Sequence, residues 1–499
     1  IAGEPVMPKH KRIHYKPGRP LLLAMLVGSL SACTMVGPDF QTPTSQVPES
    51  WSSVDKEAVT ANPVDHQEWW KNFNDPALDK LIEQSYQENL GLQIAGLRVY
   101  EARALLGFAT GTLYPQRQSV NGSAASLQIS ENAEPISNLP PAVGDLVDTD
   151  FNRFGTSLDA AWELDFWGRF RRGVESADAN LAASLATYDD FLVTLTGEVA
   201  TAYILLRTLE ERLAYAENNV AIQARSLEIA QTRFRNGLVT ELDVQLARAL
   251  LGNTQSTIPE LQRGIRQTRL ALSLLLGMPP NDLQNIIGGP GNIPATPQSI
   301  ALGAPADLLR RRPDIRRAEL QAAAQSARIG IAEADKYPAF RLIGSVGYAA
   351  DSTGDLFDSG SDINLAAFTF NWNFLNYGRV RNRVRVEDAR FQQAATLYQN
   401  TVLNAAREVE SGLTGYLRAQ ERVVALTDSV DASRRAVELA QTQYRDGVIS
   451  YTLVLDAQQF RLLNEDQLTV ARGDVARNLI ATYKALGGGW QRRETGPLI

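Results

Sequence analysis

Between Trp167 and Asn236 the apolar side chains fall at Val174, Ala177, Leu181, Leu185, Tyr188, Leu192, Leu195, Val199 and onward to Val220. The steps are almost all threes and fours, the seam of a coiled coil kept up for several heptads. No proline interrupts the run, and about seventy residues of helix would be ~105 Å long. A small globular domain cannot enclose such a helix, so it is predicted to run beside long partners. A different period holds just upstream. In FNRFGTSLDAAWELDFW, Phe154, Leu158, Ala160, Trp162 and Leu164 alternate with Arg153, Ser157, Asp159, Glu163 and Asp165. Period two predicts a strand between an apolar and a wet environment. RLIGSVGY repeats it more weakly through Leu342, Val346 and Tyr348, and the segment after Pro115 alternates poorly although a strand is placed there too.

The pattern is written twice. QTRFRNGLVT at 231–240 returns as QTQYRDGVIS at 441–450, and the same spacing of 210 pairs Gly168 with Gly378, Trp162 with Trp372 and Glu198 with Glu408. Upstream, Tyr114-Pro115 matches Tyr337-Pro338 at a spacing of 223. The chain therefore divides into a first repeat at 75–276 and a second at 305–487, with a Pro/Gly-rich connector at 277–304 and a tail at 488–499. Each repeat reads as a helix, two strands (about 114–165 and about 338–375) and a long helical hairpin, whose tips fall at 236–240 and 446–450. The polar, acidic stretches at 132–149 and 351–361 read as exposed hairpin loops. A repeat this long is not a short-period solenoid.

The opening residues add a compartment. KHKRIHYKPGRP is a basic n-region, LLLAMLVGSLSA a short apolar core, and Cys33 follows directly. Twelve residues cannot cross ~30 Å of hydrocarbon, so 1–32 reads as a secretory signal peptide. Met7 is expected to lie nearer the true start. Leu30, Ser31 and Ala32 ahead of Cys33 resemble a bacterial lipoprotein box, which implies that Cys33 becomes the acylated N-terminus of a lipidated segment at 33–74. Thr34 follows instead of the Asp that marks inner-membrane retention, which points to the outer membrane. Processing at Cys33 would leave one His (His66), two Met (Met35 and Met278) and no free thiol. Disulfides, a Cys or His nucleophile and an ordinary zinc site are then excluded. No G-x-x-x-x-G-K-[ST] or G-x-S-x-G occurs. A net charge of −7 gives no basic surface for nucleic acid. Neither enzyme nor cofactor is expected beyond a covalent lipid on Cys33, and soft metal cations are poor candidates for dedicated cargo.

Trp162, Trp167, Trp372 and Tyr377 cluster where strands meet helices, as aromatic girdles do at lipid–water boundaries. Two strands per repeat make four per chain, whereas a closed membrane barrel needs at least eight. An open edge in lipid leaves backbone groups unpaired at several kcal/mol each. Several chains must therefore share one barrel; this counting permits two or more and does not choose.

The lipobox Cys followed by GPDF-x-x-P, the doubled helix–strand–strand–helix plan, LLRRRPDIRRAE at 308–319 and ALGGGW at 485–490 resemble the TolC family of outer membrane channels, most nearly the NodT-type lipoprotein branch of tripartite efflux systems. The resemblance covers nearly the whole mature chain. It implies a mixed α and β fold: a homotrimer with a 12-stranded outer-membrane barrel continuing into a periplasmic α-helical barrel. It also implies a periplasmic adaptor and an inner-membrane pump, often of the RND type. Gly237 and Gly447 are suited to end one helix of each hairpin, and Thr240 and Ser450 to cap the next. Hairpin chemistry leaves Leu238-Val239 and Val448-Ile449 unexplained, and the family's adaptor-docking tips fall here. Asp456, amid Leu453, Val454, Leu455 and Ala457, resembles the family's periplasmic gate, where three acids related by symmetry would ring the mouth. Thr452 stands where the family has a bulky apolar residue, which puts a hydrophobic constriction in doubt. Arg235 and Arg445 are placed to pair with carboxylates of neighbouring helices. The expected function is a passive exit duct for drugs or other small molecules. The alternatives are a duct for protein export with an ABC-type partner, or a lipid-anchored coiled-coil scaffold without a pore.

Overall fold

The computed structural model of the chain describes residues 35–45, 51, 59–60, 67–130, 132, 134, 138, 140, 147–297, 300–301 and 311–490. Cys33 and the segment before it lie outside these residues, as do most of the loop before the second strand and the tail after Trp490. In chain order the main elements are α1 (Pro76–Glu88), α2 (Leu90–Gly111), β1 (Arg117–Gln128), β2 (Asp150–Leu164), α3 (Arg169–Arg235), α4 (Glu241–Leu275), α5 (Pro313–Ala334), β3 (Ala339–Ala350), β4 (Asp362–Asn371), α6 (Arg379–Arg445) and α7 (Tyr451–Ala485). The doubling is kept to the residue in the hairpins. Both α3 and α6 are 67 residues long, and both α4 and α7 are 35.

The chain forms two compact units. One holds the sheet and comprises the described part of Ile1–Gln41 with Ala104–Ala179 and Ala323–Gln392. Its strands run antiparallel in the order β1-β2-β3-β4. The registers Val120↔Leu158, Leu158↔Val346 and Leu342↔Phe368 set even-numbered residues opposite even-numbered ones throughout. Because successive side chains alternate faces, all four strands share one face carrying Val120, Leu158, Val346, Phe368 and Phe370, every one exposed. The other face is mostly polar, with Ile343, Ile363 and Leu365 as apolar exceptions. There Asp159 accepts from Asn121 at 2.5 Å and Ser345 at 2.6 Å, and Glu163 pairs with Arg341 at 2.9 Å. An exposed apolar face backed by a hydrogen-bonded polar one is the pattern of a barrel wall between lipid and water.

The chain's N-terminal strap is fastened to this unit. Val36 N–H donates to the Trp167 carbonyl at 3.1 Å. Gly37 lies so close to Gly330 that a side chain at either position would meet backbone. The Arg172 side chain, only 2% exposed, donates to the carbonyls of Val36 and Gly37 and to the carboxylates of Asp39 and Glu175. The GPDF phrase is therefore a seat for a buried guanidinium.

The second unit comprises Thr42–Arg103, Asn180–Ala322 and the described part of Gln393–Ile499. Its core joins Leu78, Leu81 and Ile82 of α1 to Val199, Tyr203 and Leu206 of α3, Leu413 and Tyr416 of α6, and Leu479 and Tyr483 of α7. The coiled-coil seam read from the sequence is buried or half-buried, but α3 is covered on more sides than one between Val193 and Glu210. The phrase RRPDIRRAE meets the end of α7 here. Arg312 donates to the Ala485 carbonyl at 2.6 Å and pairs with Asp314 and Glu408, each at 2.8 Å. A cation at a helix C-terminus satisfies carbonyls that the helix leaves unpaired. Arg207 does the same for the connector, donating to the carbonyls of Ile287 and Gly289 while paired with buried Glu210.

Candidate functional site

Each hairpin tip begins where a helix runs out of donors. Leu238 N–H reaches back to the Arg233 carbonyl and Gly237 N–H to that of Phe234, both at 2.9 Å. Val448 and Gly447 repeat this pair of bonds onto Gln443 and Tyr444 at 2.8 and 3.0 Å. These are Schellman turns, and Gly237 and Gly447 supply the left-handed residue at φ 72° and 78°. The next helix starts differently in the two tips. Thr240 sends both its backbone N–H and its hydroxyl to the Asp243 carboxylate, at 3.1 and 3.3 Å. Ser450 occupies the cap position, but its side chain caps nothing, and Leu453, standing where Asp243 stands in the first tip, offers no carboxylate to accept from it. The apolar pairs divide as well. Leu238 and Val448 are exposed, whereas Val239 and Ile449 are half-buried against Ala230, Val244, Tyr444 and Tyr451.

Among the described residues, Arg235 and Arg445 make no ion pair with a carboxylate. Each donates to a threonine of its own last turn, Thr232 and Thr442. The working arginine is Arg233, which the sequence reading passed over. Its guanidinium lies over the Tyr444 ring at 4.5 Å and donates to the carbonyls of Tyr444 at 2.5 Å and Arg445 at 3.2 Å. Those carbonyls close α6, so a cation from the first hairpin holds the negative end of the second. The signal was present: where the first phrase has Arg233 the second has Gln443, so the tie runs one way. Beneath it Tyr444 and Tyr451 pack at 4.9 Å, and neither buried hydroxyl has a partner among the described residues.

Asp456 lies two turns into α7. Val454 and Gln458, on the opposite side of the helix, are buried, while Thr452, Leu453, Asp456 and Phe460 are all exposed. The carboxylate thus sits mid-face on the side turned away from its own chain, with apolar neighbours one turn to either side. Further along, Glu465 is 1% exposed and receives Arg434 at 2.8 Å, Arg461 at 3.2 Å and Asn219 at 2.9 Å. This charged knot ties α7 to α3 and α6. Among the described residues no group of three or more His, Cys, Asp or Glu could hold a metal ion.

In the sheet unit, Trp162 and Trp372 sit on the apolar face, and their indole N–H groups donate to the carbonyls of Leu113 and Lys336. Trp167 is half-buried: it stacks on Tyr337 at 4.5 Å and donates to the Pro338 carbonyl. Tyr377 is 91% exposed. The four aromatics therefore lie at the strand–helix junctions, with Trp167 occupied by its own chain.

Residues 81–278 and 304–488, together more than half of the chain, match the outer membrane efflux protein family. The chain belongs to that family. It is 32% identical over 478 residues to the pyoverdine export outer membrane protein OpmQ of Pseudomonas putida, covering 95% of this chain and 98% of that one. Nodulation protein T of Rhizobium leguminosarum bv. trifolii is 29% identical, over 92% and 95% of the two chains. Among solved structures, the outer-membrane channel OprN is 32% identical, with a TM-score of 0.83 over 92% of this chain and 100% of that chain. The fold anticipated from the sequence, four strands and long helices per chain, is the fold of that family, which implies a trimer. The chain is an outer membrane efflux channel extending into the periplasm and serving a tripartite pump, with no catalytic role.

Proposed function

We propose that three copies form an exit duct for small organic molecules, closed at rest by Asp456 and opened when a periplasmic adaptor docks on the hairpin tips. An inner-membrane transporter, of the RND type, supplies the energy. Cys33 carries the lipid that fixes the chain to the outer membrane, and the seat that Arg172 builds for residues 36–39 supports an anchor at this end of the chain. The name of the OpmQ relative supports a small-molecule cargo over protein. Leu238 and Val448, exposed at turns that hairpin geometry alone would leave polar, support docking through Gly237, Leu238, Val239 and Thr240 and through Gly447, Val448, Ile449 and Ser450.

The observation that carries the gate is the position of Asp456. An exposed carboxylate mid-face on α7, left uncovered by the described residues of its own chain, supports a ring formed with its symmetry mates. A ring of carboxylates closes by bonding neighbouring donors and selects cations. Thr452, one turn before it, is too small to add an apolar collar. Planar-bilayer conductance of the purified protein and of Asp456→Ala tests this reading. A small or rarely open wild-type current that rises several-fold in the variant supports the gate. Equal, large currents remove Asp456 from that role, and no current from inserted oligomers of either protein removes the duct.

A further inference from the structure

The internal repeat, laid over the sheet unit, specifies a contact that one chain leaves unmade. Within the chain the first repeat meets the second along β2 and β3. There Leu158 faces Val346, Trp162 faces Leu342, and Trp167 stacks on Tyr337 at 4.5 Å with its N–H on the Pro338 carbonyl at 2.9 Å. Among the described residues of one chain, nothing provides the matching contact from the second repeat back to a first. Among the described residues, the outer edges of β4 and β1 have no strand partner, as the strand order shows.

The repeat says what belongs there. Trp167 and Tyr377 stand 210 apart, and Tyr114 and Tyr337 stand 223 apart. The image of the Trp167–Tyr337 stack is therefore Tyr377 on Tyr114 of a second copy. Both side chains are waiting. Tyr377 is 91% exposed and Tyr114 66%. Tyr377 also holds φ 51°, a left-handed conformation that side chains adopt at a cost, and no described residue of its own chain covers it.

The strands give an independent check. β1 and β3 begin at Arg117 and Ala339, 222 apart and not 223, because Gln116 is an extra residue between Pro115 and β1. Gln116 is absorbed by bonding the backbone of Glu163 in both directions. Shifting β2 forward by 210 and β3 back by 222 turns Leu158↔Val346 into Phe368 opposite Ala124 of the partner subunit. Trp162↔Leu342 becomes Trp372 opposite Val120 of the partner subunit. The registers within one chain already place Phe368 and Ala124 on the same apolar face. Using the helix spacing of 223 for the strands would have set Phe368 against Ser123 of the partner subunit, on the polar face, and a one-residue slip of this kind turns every side chain to the wrong side.

We infer that neighbouring copies join by pairing β4 with β1 of the partner subunit in this register, clasped by Tyr377 stacked on Tyr114 of the partner subunit. The inference rests on the shared-barrel reading and adds to it which residues meet. The contact satisfies edge groups that lipid would leave unpaired. The stack adds an aromatic pair of the kind that holds the two repeats together inside one chain.

Engineered cysteine pairs in the full-length protein test the register, since opposite residues of antiparallel strands bring their Cβ atoms to about 5 Å. Oxidation of A366C combined with S126C, and of A367C combined with A125C, should give covalent ladders of two and three chains. A366C combined with A125C places the thiols on opposite faces and should give none. Linking through that mismatched pair, or through none of the three, overturns the register. The clasp is read from the dissociation rate of the oligomer on heating in detergent. Tyr377→Ala and Tyr114→Ala should each speed it by roughly two- to ten-fold, the range of an aromatic pair, and the double variant should be no faster than the worse single one. Additive losses overturn the stack. Linked oligomers that carry no current would leave the seam standing and remove the duct, whereas conducting channels that never link would do the reverse.

Discussion

Arg233 holds carbonyls that belong to a helix 211 positions further along the chain. The same guanidinium faces the Tyr444 ring, so one side chain supplies both the hydrogen bonds and the cation–π contact between the two hairpins. Hydrogen bonds from a charged donor are worth about 1.5–3 kcal/mol each where the acceptor has no alternative. Replacing Arg233 by Ala leaves the last carbonyls of α6 to water and removes the cation from the ring. Hydrogen exchange at the amides of residues 446–449 should then quicken about tenfold or more, the equivalent of about 1.4 kcal/mol, with Arg233→Lys intermediate because a point charge cannot span two carbonyls. Unchanged exchange in the Ala variant would show that the tips are held by the packing of Tyr444 against Tyr451 alone. This residue was legible only as a mismatch between two copies of a phrase. Pattern reading favours what repeats, and the functional asymmetry lies in what does not: Arg233 against Gln443, Asp243 against Leu453, Leu246 against Asp456.

The long elements were readable because their periodicities are long. Threes and fours sustained over α3 leave no competing structure, and alternation in β2 is strong because one face meets apolar surroundings and the other a polar network. β1 was the hard element. Its even face carries Gly122, Ala124 and Ser126 along with Val120, so the alternation that marked β2 is diluted by small residues whose partners across β2 are Thr156, Phe154 and Asn152. Charged contacts between helices were equally hidden, since no local pattern announces a partner more than a hundred residues away. Asp190 of α3 and Arg317 of α5, 2.6 Å apart, show what such a pair is worth. Burial raises the Asp190 carboxyl above its ordinary 3.8, and the nearby arginine opposes the shift without reversing it. The folded chain therefore holds this proton more tightly than the unfolded chain. The resulting stability is fully present below the unfolded value and is lost as pH climbs through the raised one. The pair is partly exposed, so Asp190→Asn should cost little near pH 7, within ~1 kcal/mol, and the wild type should gain on the variant as pH falls toward 4. Thermal midpoints of both proteins across that range decide it. A wild type that loses ground on acidification would mean the ion pair outweighs the burial.

At the scale of the molecule, the proposed duct assigns conducting and being opened to different residues, and the two can be separated by experiment. On the reading proposed above, the sheet's two-faced wall and Asp456 belong to passage. On the same reading, Leu238 and Val448 belong to recruitment. They are exposed, they contribute nothing to the tip core of Ala230, Val244, Tyr444 and Tyr451, and each follows a glycine whose turn is complete through backbone bonds alone. Charging them should therefore spare folding, since surface changes away from such contacts shift stability by about 0.5 kcal/mol or less. A buried apolar anchor at a partner interface, by contrast, is worth 2 kcal/mol or more when removed, and a charge in its place must be desolvated without a counterion. The combined variant Leu238→Asp with Val448→Asp should give the wild-type single-channel current in planar bilayers and the wild-type oligomer on gels, yet fail to restore solvent or drug tolerance to cells lacking their own exit duct. Lost conductance would place these side chains in the passage itself. Full tolerance would remove Leu238 and Val448 from docking and turn attention to the half-buried tip residues Val239 and Ile449.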